Sequence, residues 1–450
     1  MKPEIVARYA DRPLPRYTSY PTAPHFAPGV TPADYAGWLA ALPRDEAVSV
    51  YVHVPFCRSM CWYCGCHTTI TARDTPVMRY LDALGAEIDW VSQAIGARVP
   101  ARHLHFGGGT PSLMPPEAFS ALMAQLRRAF DLGPDAEVAI ELDPRTLDTA
   151  MIEALGTAGV TRASLGVQSF DPKVQQAINR VQSFEQTAAA ANGLRRAGVA
   201  GVNFDLIYGL PFQTVESCRE TVAQALELAP DRFAVFGYAH VPNFKQHQRK
   251  IDTAALPDGR ARHEQAEAIA EQLQAAGYVR IGLDHYARPD DELARADAEH
   301  RLHRNFQGYT TDACTTLIGL GASSIGRLPQ GYVQNATLIG DYQRRVDADG
   351  TAIAKARAFA GEDRLRATII ERIMCDYRAD LAQICGSYGA DAQALLAHAQ
   401  GLGELVADGL ARVKGTVVEV DDAARPLVRA VAAAFDEYLG QGPARHSRAI

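Results

Sequence analysis

From Val48 onward, short runs rich in β-branched and aromatic residues alternate with longer amphipathic ones, and this alternation restricts the fold more than any other feature of the chain. The strand-like runs are Val48 to Val54, His103 to Phe106, Glu137 to Leu142, Arg162 to Val167, Gly201 to Ile207, Phe233 to Tyr238 and Tyr278 to Asp284. Helical periodicity fills several of the gaps, at Thr75 to Ser92, Pro116 to Phe130, Ser183 to Ala197, Val215 to Leu228 and Gly259 to Ala276. Near-apolar strands separated by helices pair in parallel through right-handed crossovers. The expected fold is therefore α/β, a full or partial β/α barrel.

In such barrels functional side chains gather where strands end. The residues out of place in a core fall there. Gly107-Gly-Gly-Thr110 follows the second strand, Glu141 and Asp143 the third, Gln168 the fourth, Asp205 and Tyr208 the fifth, Tyr238-Ala-His240 the sixth and Asp284-His-Tyr286 the next. After the first strand comes Cys57-x3-Cys61-x2-Cys64-x-Cys66. Three thiolates at C-x3-C-x2-C can each hold a different iron of a cubic iron–sulfur cluster, leaving the fourth iron open for a ligand. A structural zinc site is the rival, but it would use paired C-x2-C elements and no second pair follows. The other cysteines, Cys218, Cys314, Cys375 and Cys385, are scattered, which suits reduced thiols in a cytosol and small buried apolar roles rather than a disulfide framework.

With 47% hydrophobic and 22% charged residues, the chain has ordinary globular usage over 450 residues, enough for two or three domains. It carries no apolar leader and no stretch long enough to span a bilayer, so export and membrane insertion are not expected. A net charge of −7 argues against a nucleic-acid-coating surface. Basic residues do gather near both ends, at Arg8, Arg12 and Arg16 and at Arg445 and Arg448, where solvated surface charge explains them about as well as an anionic ligand. After about residue 360 the rhythm is helical, and Leu405 to Phe435 reads as helix, two-stranded ribbon and helix. This resembles a winged-helix unit, with Glu419, Asp421 and Asp422 where a DNA-tracking wing would want cations.

The cysteine loop, Tyr63 before its third Cys, and the Gly-rich turn one strand later resemble the radical S-adenosylmethionine superfamily. Within it, Arg16-Tyr-Thr-Ser-Tyr-Pro-Thr22, the extra Cys66, Gly107-Gly-Gly-Thr-Pro111, Asp205-Leu-Ile-Tyr-Gly-Leu-Pro211, Asp284-His-Tyr-Ala-Arg-Pro-Asp290 and His303-Arg-Asn-Phe-Gln-Gly-Tyr-Thr-Thr311 resemble the family of oxygen-independent coproporphyrinogen III oxidases over nearly the whole chain. The resemblance implies a partial (β/α)6-type barrel with additional strands over 46–355. It also implies an N-terminal extension, 1–45, that contributes to the substrate pocket, and a mainly helical lid over 356–450. Cys57, Cys61 and Cys64 would ligate a [4Fe–4S] cluster and Cys66 would not. Two S-adenosyl-L-methionine molecules would meet Tyr51, Tyr63, Gly108, Gly109, Thr110, Glu141, Gln168, Arg180, Asp205, Ala239 and Ile325.

The implied reaction decarboxylates two propionates of coproporphyrinogen III to vinyl groups, through a 5′-deoxyadenosyl radical, to give protoporphyrinogen IX. It needs an external flavodoxin- or ferredoxin-like one-electron donor, and the protein would be a cytoplasmic monomer without nucleic-acid or membrane partners. Beside this reading, glycines at 107–109 allow close approach of backbone to a ligand and free amide groups to bind it, and carboxylates suit ribose hydroxyls or an ammonium group. A substrate with four propionates needs cations; Arg16, Arg445 and Arg448 are candidates, with Cys66 and Arg304 as possible substrate-side residues. A related haem chaperone is the alternative, although such proteins typically lack Cys66, the Tyr17-Thr-Ser-Tyr-Pro21 segment and the His303 run.

Overall fold

The structure is a computed structural model that describes residues 3–10 and 12–441. Six parallel strands form its centre: β1 (Val48–Val54), β2 (Pro100–Gly108), β3 (Asp131–Leu142), β4 (Arg162–Gln168), β5 (Gly201–Tyr208) and β6 (Arg232–Gly237), side by side in chain order. The helices that return the chain are α1 (Thr75–Ile95), α2 (Pro116–Ala129), α3 (Thr149–Thr157), α4 (Phe184–Arg196) and α5 (Val215–Glu227), and α6 (Gly259–Ala275) follows β6. Only α3 had no counterpart in the sequence reading. Its start is fixed by Asp148, whose carboxylate accepts the Met151 amide at 2.8 Å.

Packing follows from periodicity. On α1, Val77, Tyr80, Leu84, Ile88, Val91 and Ile95 recur at helical spacing and are all buried against the sheet. Each such side chain contributes roughly 1.5–3 kcal/mol. The helix stops at Gly96, whose φ of 69° is the left-handed cap that glycine adopts without penalty.

The sheet continues on both sides of the six. Next to β1, Thr316–Leu320 pairs in parallel, and Ile325–Leu328, Gly331–Asn335 and Ile353–Ala358 follow antiparallel. The expected strand from Tyr278 to Asp284 is instead a hairpin, Val279–Ile281 with His285–Ala287, lying antiparallel on β6. Gly282 breaks the run: at φ 57° it turns the chain, and a Cβ there would sit 2.1 Å from the Tyr309 ring. Asp284 therefore stands in a turn, not at the end of a parallel strand.

A second core lies in the C-terminal region, where Ile369, Ile373, Leu381, Leu405, Leu427 and Phe435 are buried together with Tyr9, Leu14, Tyr17 and Tyr20 from the chain's start. The ribbon Ala411–Lys414 with Val417–Val420 is present and gains a third strand, Arg378–Asp380. Arg445 and Arg448 lie outside the described residues.

Candidate active site

The cysteine loop leaves β1 and is held from two sides. On one side, Asn179 Nδ2 donates to the Met60 carbonyl at 2.8 Å, and the Trp62 amide donates to Ile178 O at 2.9 Å. On the other, Gln248 Nε2 donates to Tyr63 O at 2.9 Å, His247 Nε2 lies 2.7 Å from Cys64 O, and Lys245 Nζ donates to Cys66 O at 3.0 Å. None of Asn179, His247 and Gln248 was singled out in the sequence. Each is an ordinary polar residue in a short turn or 3-10 helix, and only the fold reveals what it holds.

The three proposed ligand thiols are surrounded by donors. Cys57 Sγ receives the hydroxyls of Thr68 (3.2 Å) and Thr110 (3.5 Å), which oppose the upward push of burial on its pKa. Cys61 Sγ receives Arg145 Nη2 at 3.4 Å and Arg180 Nη1 at 3.5 Å. Cys64 Sγ accepts the Cys66 amide at 3.4 Å, and the Cys66 thiol also donates to it; together these lower its pKa to about 7. Cys66, giving its proton to Cys64, is held well above the ordinary thiol range. Hydrogen-bond donors on all three sulfurs, with Cys64 favoured as thiolate beside a Cys66 kept protonated, make a donor set that fits a cluster held by Cys57, Cys61 and Cys64. Among the described residues no three His, Cys, Asp or Glu side chains converge on a point where one metal ion could sit, and thiolates on separate irons of a cubane need not.

The Gly-rich turn does different work from that expected of it. A Cβ at Gly109 would lie 2.4 Å from Phe56 O, and one at Gly108 would lie 2.6 Å from the His53 ring. The close approach these glycines permit is therefore to β1 and the start of the cysteine loop. Their amides also have protein partners: Gly108 N–H donates to Glu141 Oε2 (3.1 Å), Gly109 to Val54 O (2.9 Å) and Thr110 to Phe56 O (2.7 Å). The reading that the triplet leaves these amides free for a ligand does not hold in this structure.

Around the loop the other strand ends face one another. Tyr51 stacks on His105 with ring centroids 5.8 Å apart, and its hydroxyl is 3.0 Å from His53 Nδ1. His105 is 3.3 Å from Glu141, and burial of Glu141 is outweighed by His105 and the Gly108 amide, so it stays below the usual carboxylate range. Asp205, which accepts Ser164 Oγ at 3.0 Å, is pushed the other way: burial first and the Glu141 charge second raise it to about 7. Arg180 bridges Asp143 (3.2 Å) and the Gly166 carbonyl. Burial disfavours its charge, but Tyr63, Asp143 and Cys61 outweigh burial and raise its pKa; its buried Nε has no partner among the described residues. Gln168 is buried at φ 66°, a strained backbone for a non-glycine residue. Tyr63 packs against a small apolar core, Ala239 O accepts Gln248 Nε2 at 3.3 Å, and Ile325 reaches Gly319, the strand partner of Tyr51.

Ala239 also lines a cavity of about 550 Å³ that opens between β5, β6, the 279–287 hairpin and the chain ends. Its cationic lining is Arg16, Arg262, Arg280, Arg304 and Arg429, opposed by Asp284 and Glu267. Burial and then the charges of Arg16 and Arg304 lower Arg429 to about 10, while Asp284, bonded to His285 at 2.7 Å, is held near 2 despite its burial. Arg262, Arg280 and Arg429 had no signal in the sequence.

Residues 51–225 match the model of the radical SAM superfamily. The chain is 58% identical over 450 residues, all of both proteins, to the oxygen-independent coproporphyrinogen III oxidase of Bradyrhizobium diazoefficiens. It is 44% identical to that of Paracoccus denitrificans, covering 98% of this chain and 97% of that one. The solved structure of coproporphyrinogen III oxidase from Escherichia coli, described as a radical SAM enzyme, superposes with a TM-score of 0.90 at 38% identity, covering 94% of this chain and 97% of the other. No described helix is long and apolar enough to cross a membrane. Similar to these relatives in sequence over almost all of its residues and to the solved structure in fold, the chain belongs to the radical SAM family of oxygen-independent coproporphyrinogen III oxidases.

Proposed function

We propose that the chain removes the carboxyl groups of two propionate side chains of coproporphyrinogen III, without oxygen, to leave the vinyl groups of protoporphyrinogen IX. The observation that carries this reading is the arginine-rich cavity at the ends of β5 and β6, lined by Ala239, whose carbonyl shares Gln248 with Tyr63 of the thiolate loop. Its volume lies within the range of ligand pockets, and its cations suit a polycarboxylate.

Cys57, Cys61 and Cys64 would hold a [4Fe–4S] cluster, which together with S-adenosyl-L-methionine would supply the radical chemistry needed to activate a propionate β-C–H bond. The chain's own residues do the positioning. Arg180, anchored by Asp143 and Gly166, offers its remaining N–H to a carboxylate. Glu141, held ionised, suits ribose hydroxyls or an ammonium group, and Asp205 ionises when a cation enters beside it. Two carboxylates of opposite protonation facing one space, with Tyr51, Tyr63, Gly108, Gly109, Thr110, Gln168, Ala239 and Ile325 around them, suit two molecules of S-adenosyl-L-methionine. Arg16, Arg304 and Arg429 hold the propionates that do not react, and Cys66 remains a thiol. Charge repulsion among the three arginines is relieved when a carboxylate enters.

The reading includes a flavodoxin- or ferredoxin-like one-electron donor and a monomeric protein in the cytoplasm, consistent with eight cysteines and no disulfide. Anaerobic turnover of coproporphyrinogen III with dithionite tests it: two molecules of CO2 per protoporphyrinogen IX are expected. Haem binding without CO2 release would replace it by a chaperone role.

A further inference from the structure

Cys61 is the buried thiol against which the segments behind the cysteine loop pack. Two loops converge on it: Arg145 Nη2 and Arg180 Nη1 both reach its sulfur, and Arg180 is followed at once by Val181, which is 68% exposed. The loop backbone at Met60 and Trp62 is bonded to Asn179 and Ile178. Beneath this face, Val174, Ile178, Leu210 and Ile251 form a small core of their own, with Trp62 packed against it.

The rim of that core is both apolar and cationic. Phe212 is 40% exposed and sits at φ 64°, an unfavourable conformation for a bulky residue, with Lys173 Nζ 4.4 Å from its ring centroid. Lys250 Nζ lies 5.7 Å from the Trp62 ring, and Arg249 and Lys250 are exposed. The segment from Val241 to Ile251 carries Lys245, His247, Arg249 and Lys250 without a single carboxylate, in a protein of net charge −7. The nearby acids Asp171 and Asp252 are helix caps, engaged with the amides of Lys173 and Ala254.

We infer that this face, with Val181 and Phe212 at its centre and Lys173, Arg249 and Lys250 on its rim, docks a small acidic protein that delivers single electrons. The inference rests on the proposed reaction, which needs such a donor, and adds where the donor binds. Charge complementarity selects the partner: an acidic carrier is repelled by the molecule as a whole and drawn only to a basic patch. Electron transfer weakens steeply with distance, so the carrier must seat close to the cysteine loop, and this face abuts the loop at Trp62, under Lys250, and at Met60, bonded to Asn179. Small, weakly bound interfaces of this kind are usual for redox partners.

The test uses the cluster-loaded enzyme and a purified acidic flavodoxin. The variant Lys173→Glu/Lys250→Glu is compared with Arg344→Glu/Lys355→Glu, an equal charge change at exposed positions of helix 339–349 and edge strand 353–358. Two readouts are taken: the Kd for oxidised flavodoxin by calorimetry, and turnover driven by reduced flavodoxin or by dithionite. The docking variant should raise both Kd and the KM for flavodoxin by about tenfold at low ionic strength, the difference shrinking with added salt, while dithionite-driven turnover is unchanged. Equal Kd values for the docking variant and the unaltered protein would overturn the inference, as would an equal loss in the control variant. Loss of dithionite turnover in the unaltered protein would instead count against the proposed reaction.

Discussion

Asp205→Asn separates what the fold needs from what the ligand needs. Asp205 is drawn from the ordinary carboxylate value of 3.8 to about 7 by burial and by Glu141, and its partner Ser164 donates to it in either protonation state. Because the folded-state pKa lies above the unfolded one, the neutral acid is no burden at low pH. A cost accumulates from about pH 4 as the unfolded chain ionises, and is complete once the pH passes 7. At about 1.4 kcal/mol per pH unit the full cost is roughly 4 kcal/mol, a ceiling because the residue is only half-buried.

Asn keeps the Ser164 bond and cannot ionise, so the variant should be more stable than the unaltered protein, by roughly 2–3 kcal/mol more at pH 8 than at pH 5. Anaerobic chemical denaturation of ligand-free samples across that range measures it. Affinity for S-adenosyl-L-methionine should move the opposite way: it should rise with pH through 7 in the unaltered protein and stay flat and weaker in the variant. A stability difference that does not change with pH, or a variant less stable at pH 8, would show that Asp205 is not the strained acid described here.

Replacing Cys57, Cys61 or Cys64 by Ser should abolish bound iron, whereas Cys66→Ser should keep it; iron per protein after anoxic reconstitution decides. Gly109→Ala places a methyl 2.4 Å from Phe56 O and should destabilise the protein by about 1–3 kcal/mol while lowering iron retention, read by denaturation and iron content. Arg180→Ala leaves the Asp143 carboxylate with only Arg145 and should cost roughly 3–5 kcal/mol, with loss of S-adenosyl-L-methionine binding measured by calorimetry. Arg429→Ala should raise the KM for coproporphyrinogen III about tenfold or more at unchanged iron content, each lost charged hydrogen bond being worth about 1.5–3 kcal/mol.

The parts of this molecule that could be read from its sequence are those whose physics is local. Six buried strands declare themselves because both faces are apolar, and the cysteine loop does because thiolates that share a cluster must be close in sequence when one short turn holds them. Tyr278 to Asp284 was misread because a short β-rich run looks the same whether it crosses a barrel or folds back on itself; Gly282 was the available signal. The glycines at 108 and 109 were read as sites where backbone closely approaches a ligand, but sequence cannot say what approaches, and the neighbours in the structure are His53 and Phe56. Polar clamps such as Gln248 on Tyr63 O, and cavity cations such as Arg429 beside Arg16, join segments hundreds of residues apart. Their residue types are ordinary and their partners are fixed only by the central sheet and the C-terminal core. The cofactor-facing half of the site is thus written in strand ends and spacing, and the cation-lined half arises where the two chain ends meet the barrel.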